Sequence, residues 1–207
     1  KIMKIEILNK NTMFPILMSD NWYSKEEEKN VWLELNYIHS LNAYEKSEEF
    51  SAYDNNNKSK SKGSRFFYEM IFRQKRYSHV CRMLYKIQDK KFHNIVEKAM
   101  PIGKIFSATD WDNTILNYYE NNDNYLSHYD YSMFTMLIFF HKEPKLFSGG
   151  DLYFEESNTT IKFKHNRMVL FPGHYLHQAN KVSMNSEHQN NMNGRFTITH
   201  FISKDPA

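Results

Sequence analysis

The second half of the chain is a succession of short β-type runs punctuated by turns, and this limits the fold more than any other feature. Candidate strands fall at 113–119, 133–141, 151–155, 159–163, 167–171, 176–182 and 195–202. Asn-rich or Gly-containing stretches lie between several of them, notably Ser148-Gly-Gly150 and residues 183–193. Short strands at close spacing, with turn residues between them, predict a sandwich or a jelly-roll barrel. The first half has a different texture. Ser24-Lys-Glu-Glu27 is a capping-box pattern, in which the Ser and Glu side chains each satisfy a backbone N–H at a helix start. Val31, Trp32, Leu35, Ile38 and Leu41 recur behind it at helical spacing, so a helix over about 24–44 packs on a sheet. Residues 88–100 form a second helix, ended by Pro101 and Gly103. Residues 3–8 alternate like an edge strand, 45–64 are polar and read as a loop, and 65–87 fit neither helix nor strand better.

A chain of 207 residues is long enough for one well-cored domain and short for two. The expectation is therefore a single α+β, mainly β domain: a double-stranded β-helix (jelly-roll) core over 104–207, buttressed by helix-rich support over 1–103. The lone Cys81 excludes an internal disulfide framework and a zinc site built on a Cys pair. A net charge of +3 is too weak to argue for a nucleic-acid face. There is neither a signal-peptide pattern nor an apolar run long enough to span a bilayer, so a soluble, cytoplasmic protein without a membrane partner is expected. The sequence is silent on oligomeric state.

Chemistry concentrates in Tyr125-Leu-Ser-His128-Tyr-Asp130. In extended backbone, residues two apart point to the same face, so His128 and Asp130 can reach one metal. Alone, such a pair is weak, because a surface turn yields it by chance. A second imidazole must come from a later strand, and His165, His174, His177, His188 and His200 are the candidates. The run Arg167-Met-Val-Leu-Phe-Pro172 reads as an apolar strand, and Gly173 permits the turn after it. His177, Ala179 and Lys181 then share one face of the next strand, which favours His177 over His174 within the turn. His165 and His188 lie in polar stretches and read as solvated. Two His and one Asp on one face of a metal are the ligand set of non-haem Fe(II) oxygenases. Arg195 opens the last strand on the side of Thr197, Thr199 and Phe201. An inward Arg is costly to bury unless an anion meets it, and either a ligand or a protein carboxylate can serve. Thr197 could add a hydroxyl contact.

Taken together, these residues resemble the 2-oxoglutarate/Fe(II)-dependent dioxygenases of the prolyl 4-hydroxylase type, over about residues 110–203. The family's pattern of a Tyr, a second Tyr seven positions on, then H-x-D is met by Tyr118, Tyr125, His128 and Asp130. Its glycine hairpin is met by Ser148-Gly-Gly-Asp-Leu-Tyr153, and its distal histidine segment by Val169-Leu-Phe-Pro172 through His177. Its arginine strand is met by Gly194-Arg-Phe-Thr-Ile-Thr199. The resemblance implies that His128, Asp130 and His177 bind iron, that Arg195 anchors the distal carboxylate of 2-oxoglutarate, and that Tyr118 and Tyr125 line the cosubstrate or substrate pocket. It implies Fe(II), 2-oxoglutarate and O2 as cofactors, with room for ascorbate, and hydroxylation of a protein or peptide side chain, prolyl among them, with release of succinate and CO2. Asp130 favours a hydroxylase, since related halogenases lack this carboxylate. Two departures stand out. Arg195 lies eighteen residues after His177, where many relatives place the basic residue after nine or ten, and Phe140 stands where some relatives carry a cosubstrate-contacting Tyr. An oxygenase of nucleic acid or of a small molecule, and a non-catalytic jelly-roll binding module, are the competing readings.

Overall fold

In the computed structural model, residues 4–205 are described. The first half comprises β1 (Glu6–Leu8), β2 (Ile16–Asp20), α1 (Lys25–Ser40), β3 (Glu45–Lys46), β4 (Ser61–Lys62), β5 (Ser64–Phe67), α2 (Tyr68–Ile71), α3 (His79–Arg82) and α4 (Lys90–Ala99), with short 3-10 turns between them. The second half continues with β6 (Trp111–Tyr119), β7 (Asn124–His128), β8 (Phe134–Phe140), β9 (Phe147–Gly149), β10 (Leu152–Phe154), β11 (Thr159–Ile161), β12 (Arg167–Pro172), β13 (His177–Ala179), β14 (Val182–Met184) and β15 (Arg195–Ser203).

These strands build an antiparallel jelly roll. An eight-stranded sheet runs β1-β2-β12-β8-β15-β6-β5-β3, a five-stranded sheet runs β11-β10-β13-β7-β4, and β9 pairs with β14 as a ribbon. The central strand β8 is buried along its whole length, because the helices cover one face of the large sheet and the small sheet covers the other. Its side chains alternate accordingly. Phe134, Met136, Ile138 and Phe140 enter the core beneath the helices, while Leu137 and Phe139 enter the core between the sheets. The same alternation on β6 and β15 decides which residues reach the site.

The helices begin where their caps are. Ser24 Oγ accepts from Glu27 N at 3.2 Å, while Ser24 N donates to Glu27 Oε2 at 2.7 Å, completing the expected capping box. Helix α1 buries Val31, Leu35 and Ile38 and stops at Ser40, earlier than the expected end near 44, because Asn42 turns left-handed at φ 49° and leaves Leu41 exposed. Asp89 caps α4 by accepting from Lys91 N, and the helix ends before Pro101. The 45–64 stretch, expected as a plain loop, carries β3 and β4 and clasps β7: Lys60 O accepts from Leu126 N at 2.8 Å and the Tyr125 hydroxyl from Ala52 N at 3.1 Å. The expected edge strand over 3–8 is observed as Glu6–Leu8, Met3 lying outside the described residues. Residues 176–182 split into β13 and β14, since the chain leaves the small sheet at Asn180 to pair with β9.

Candidate active site

Strand β7 and the loop behind it bring His128 and Asp130 together, and β13 lies directly beside β7 with His177 opposite His128. The donor atoms of the three side chains all lie within 4.8 Å of one another. His128 Nε2 is 3.7 Å from Asp130 Oδ1, and His177 Nε2 is 3.5 Å from Asp130 Oδ2. The other nitrogen of each ring is engaged: His128 Nδ1 meets Leu126 O and His177 Nδ1 meets Tyr175 O, both at 2.8 Å. A carbonyl can only accept, so each Nδ1 carries the proton and each Nε2 presents a lone pair to the shared gap. Burial, and then the neighbouring His177, hold the His128 imidazole well below the usual histidine range, which keeps it neutral. Thr135 Oγ1 donates to Asp130 Oδ2 at 2.6 Å and fixes the carboxylate. Two imidazoles and one carboxylate, oriented from behind and facing one gap, fit a divalent transition metal such as Fe(II).

Behind the triad lies an inner cavity whose wall includes His128, Asp130, His177, Asn117, Tyr119, Thr197 and Arg195. The Arg195 guanidinium is only 2% exposed and has no carboxylate within ion-pair distance among the described residues. Its Nε donates to Gly150 O at 2.8 Å, one Nη donates to Thr197 Oγ1, and its carbon lies 5.2–5.3 Å from the ring centres of Tyr119, Phe139 and Phe163. Burial draws its pKa down to about 10, which still leaves it charged at neutral pH. A buried cation with unused donors, facing a cavity that ends at a metal-ready triad, fits the far carboxylate of a dicarboxylate. The long segment before Arg195 includes β14, which pairs with β9, and the chain then returns so that Arg195 stands opposite Tyr119. Gly150 makes this seat possible: a Cβ there would lie 2.6 Å from Arg195 Cδ, on a backbone already at φ +73°.

The structure corrects the tyrosine assignment. Tyr118 lines neither cavity. Its ring packs on Phe196 and Tyr44 in the core beneath the helices, and its hydroxyl donates to Glu120 Oε1 at 2.6 Å. On β6 the odd positions, Ile115, Asn117 and Tyr119, face the cavity, so Tyr119 holds the place given to Tyr118. Phe140 likewise faces the helices, packed against Trp32 and Tyr23, while Leu137 lines the cavity and Phe139 lies against Arg195. Tyr125 does line the site, stacked on His128 with ring centres 3.5 Å apart. The remaining histidines separate clearly. His174 is exposed. His165 is not solvated: it bonds Glu28 Oε1 at 2.9 Å and stacks on Trp32. His200 sits fully buried on the opposite face of β15, with Nδ1 at 2.9 Å from Thr114 Oγ1. His188 is partly exposed beside Glu187.

The triad also opens outward, into a cleft of about 760 Å³ with His128 and Asp130 at its floor. Phe50, Tyr53, Phe67, Trp111, Tyr129 and Tyr131 are among its walls. Sequence reasoning missed Arg65, which lines both cavities. It is buried, with Nε donating to Asn117 Oδ1 at 3.0 Å, Nη1 to Phe50 O at 2.6 Å, and its cation over Tyr125. The signal was hidden because β5 lies at the start of a stretch with no clear period.

Residues 114–203 match the family model of the 2OG-Fe(II) oxygenase superfamily. A search of curated proteins finds no match. Among solved structures, a prolyl hydroxylase from Trichoplax adhaerens, in complex with a hypoxia inducible factor oxygen degradation domain peptide fragment, superposes with a TM-score of 0.62 at 13% identity, covering 91% of this chain and 83% of that one. A Pseudomonas putida prolyl-4-hydroxylase gives 0.60 at 9% identity, covering 92% of each chain. The viral collagen prolyl hydroxylase from Paramecium Bursaria Chlorella virus-1, in its 2OG complex, gives 0.54 at 13%, covering 94% of this chain and 98% of that one. At these identities the likeness is one of fold, and the fold is that of prolyl hydroxylases.

Proposed function

We propose a substrate class and a set of residue roles for what is, over residues 114–203, a 2-oxoglutarate/Fe(II) dioxygenase with Fe(II), 2-oxoglutarate and O2 as its cofactors. The reaction is hydroxylation of a protein or peptide side chain with release of succinate and CO2, and prolyl is the first side chain to test. One observation carries the reading: among the described residues, a metal-ready triad opens inward to a buried Arg that has no carboxylate partner and outward to an aromatic cleft. Exposed aromatic and apolar side chains around that cleft, Tyr131 at 96% exposure with Tyr129, Tyr53 and Trp111 behind it, support a polypeptide partner. The Trichoplax structure holding a peptide fragment on the same fold supports it further. The whole of 1–207 is taken as one domain, with the N-terminal segments supplying Arg65 and part of the cleft wall.

In this reading His128, Asp130 and His177 hold the metal, and Arg195 with Thr197 holds the far carboxylate of 2-oxoglutarate. Bound Fe(II), with 2-oxoglutarate and O2, supplies the oxidising power for hydroxylation at carbon. The protein's part is placement and shielding. The Nδ1–H bonds to Leu126 O and Tyr175 O keep both imidazoles in one tautomer and one orientation. Thr135 holds Asp130 so that one carboxylate serves one position. Leu137 and Leu152 line the inner cavity beside its polar groups, and the rings packed against Arg195 shield the guanidinium from water, which strengthens its pairing with a carboxylate. Tyr125, clamped between Ala52 N and the His128 ring, forms part of the wall of both the inner cavity and the outer cleft.

The test has two stages. Anaerobic titration with Fe(II) and 2-oxoglutarate should give the weak visible charge-transfer band of a chelated cosubstrate, lost in Asp130→Ala. Aerobic turnover with proline-containing peptides should then yield succinate and add one oxygen atom to the peptide. A folded, metal-loaded protein without the band would overturn the residue roles. Oxygen incorporation into a free small molecule or an oligonucleotide but into no peptide would overturn the substrate class.

A further inference from the structure

The positive charge of this protein is not spread evenly. Between residues 73 and 91 the sequence places seven Lys or Arg and a single acid, Asp89. Asp89 is occupied as the cap of α4. Two of the seven are neutralised locally, Lys75 by Asp112 and Lys86 by Glu27. Arg73, Arg76, Arg82, Lys90 and Lys91 have no carboxylate within ion-pair distance among the described residues, and all are exposed.

Their spacing is regular. Positions 73, 76, 79, 82, 85, 88 and 91 are each exposed, and they carry Arg73, Arg76, His79, Arg82, Tyr85 and Lys91, with a Gln between the last two. This stretch consists of 3-10 turns at Lys75–Tyr77 and Met83–Gln88 around the single turn of α3, leading into α4. In a 3-10 turn, residues three apart eclipse one another. Tyr85 and Gln88 therefore lie in line within Met83–Gln88, and every third residue of the whole stretch is exposed, while Val80, Cys81, Met83, Leu84 and Ile87 are buried in the core. Tyr85 is 61% exposed and Tyr77 is 67% exposed, with the Arg76 cation over the Tyr77 ring.

The basic stretch is tied to the strand that helps line the outer cleft. Lys75 bonds both the backbone carbonyl and the carboxylate of Asp112, and the residues on either side, Trp111 and Asn113, line the cleft. Inside the cleft the charge has the same sign. Among the described residues, Lys60 and Arg65 lie in the wall without a carboxylate partner, and the one acid of the wall is Asp130, which belongs to the metal group.

We propose that this stripe is a docking surface for an acidic polypeptide segment flanking the side chain that enters the cleft. The inference rests on the hydroxylase reading above, since it takes the occupant of the stripe to be the same chain as the substrate. An acidic segment with main-chain acceptors matches both the exposed guanidiniums and the exposed tyrosines. Continuity with the cleft favours a polypeptide over nucleic acid.

Fluorescence anisotropy on the full chain, without iron or cosubstrate, tests it apart from catalysis. Three labelled probes are used: a proline-containing apolar peptide followed by a run of Glu, the same peptide followed by Gln, and an oligouridine. The Glu peptide should bind about tenfold or more tightly than the Gln peptide, and the difference should shrink as salt is raised. Arg76→Glu with Arg82→Glu should abolish the difference, and Arg76→Lys with Arg82→Lys should preserve it. Equal binding of the two peptides, or no response to charge reversal, would overturn the proposal. Tighter binding of the oligouridine would also overturn it and make the stripe a nucleic-acid surface. None of these outcomes depends on the charge-transfer band or on succinate, so the stripe can fail while the hydroxylase stands, and the reverse.

Discussion

Replacing Arg195 by Met separates what this residue does for the fold from what it does for a ligand. The guanidinium is buried, donates to Gly150 O and Thr197 Oγ1, lies over three aromatic rings and meets no carboxylate among the described residues. Burying a charge costs several kcal/mol even after relaxation. The two hydrogen bonds return roughly 1.5–3 kcal/mol each, and desolvated ring contacts about 1–2 kcal/mol each. These contributions nearly cancel. Arg195→Met should therefore leave the metal-free, ligand-free protein within about 2 kcal/mol of the parent, the residual cost coming from the unpaired Gly150 carbonyl. For 2-oxoglutarate nothing cancels. Removing the partner of a buried carboxylate costs about 2–5 kcal/mol, which is about thirtyfold to a few thousandfold in Kd. Anaerobic calorimetric titration of 2-oxoglutarate into Fe(II)-loaded protein reads the second quantity, and urea unfolding of the metal-free protein reads the first. A loss above about 4 kcal/mol in urea, with Kd changed less than about threefold, would show Arg195 to be a strut of the barrel and refute the reasoning.

Other substitutions test neighbouring parts of the argument. His177→Ala should abolish Fe(II) binding in equilibrium dialysis, while exposed His174→Ala should retain it; the reverse result reassigns the ligand. Gly150→Ala puts a Cβ against Arg195 Cδ at positive φ, so it should weaken 2-oxoglutarate by about tenfold or more while Fe(II) affinity stays unchanged. Burial lowers the His200 pKa from 6.5 to about 3, so on acidification the unfolded chain takes up a proton that the folded protein refuses. Stability from this group is complete above pH 6.5 and is lost as pH falls towards 3, roughly 5 kcal/mol in all. His200→Leu should flatten that part of the acid limb, as measured by urea midpoints at neutral and acid pH. An unchanged slope would mean that His200 does not titrate in this window.

The parts of this molecule that were legible in its sequence are those set by local chemistry. The capping box at Ser24, the Gly-rich turn before β10 and the apolar run of β12 each specify their structure within a few residues, and each is found. His128 and Asp130 were readable for the same reason, since two positions of one extended segment share a face. What the sequence hid depends on pairing between distant segments. Strand β5 has only four residues and takes its identity from β3 and β6 beside it, so Arg65, a buried cation reaching both cavities, had no local signature. The 45–64 stretch looked like solvent-exposed chain because its hydrogen bonds go to β7, more than sixty residues away.

Tyr118 shows the limit most sharply. Motif spacing selects a tyrosine but does not fix the phase of the strand that carries it, and a shift of one residue moves a side chain to the other face of the sheet. The phase was available from Arg195. Its β-bridge partner on β6 is Tyr119, and directly paired residues in an antiparallel sheet project to the same face. If Arg195 points inward, Tyr119 points inward with it and Tyr118 cannot. Phe140 yields to the same logic, since it pairs with Phe196, whereas Phe139 pairs with Thr197 on the Arg195 side. A site on a double-sheet fold is thus better read by carrying one secure residue across the ladder, strand by strand, than by matching each strand to a pattern separately.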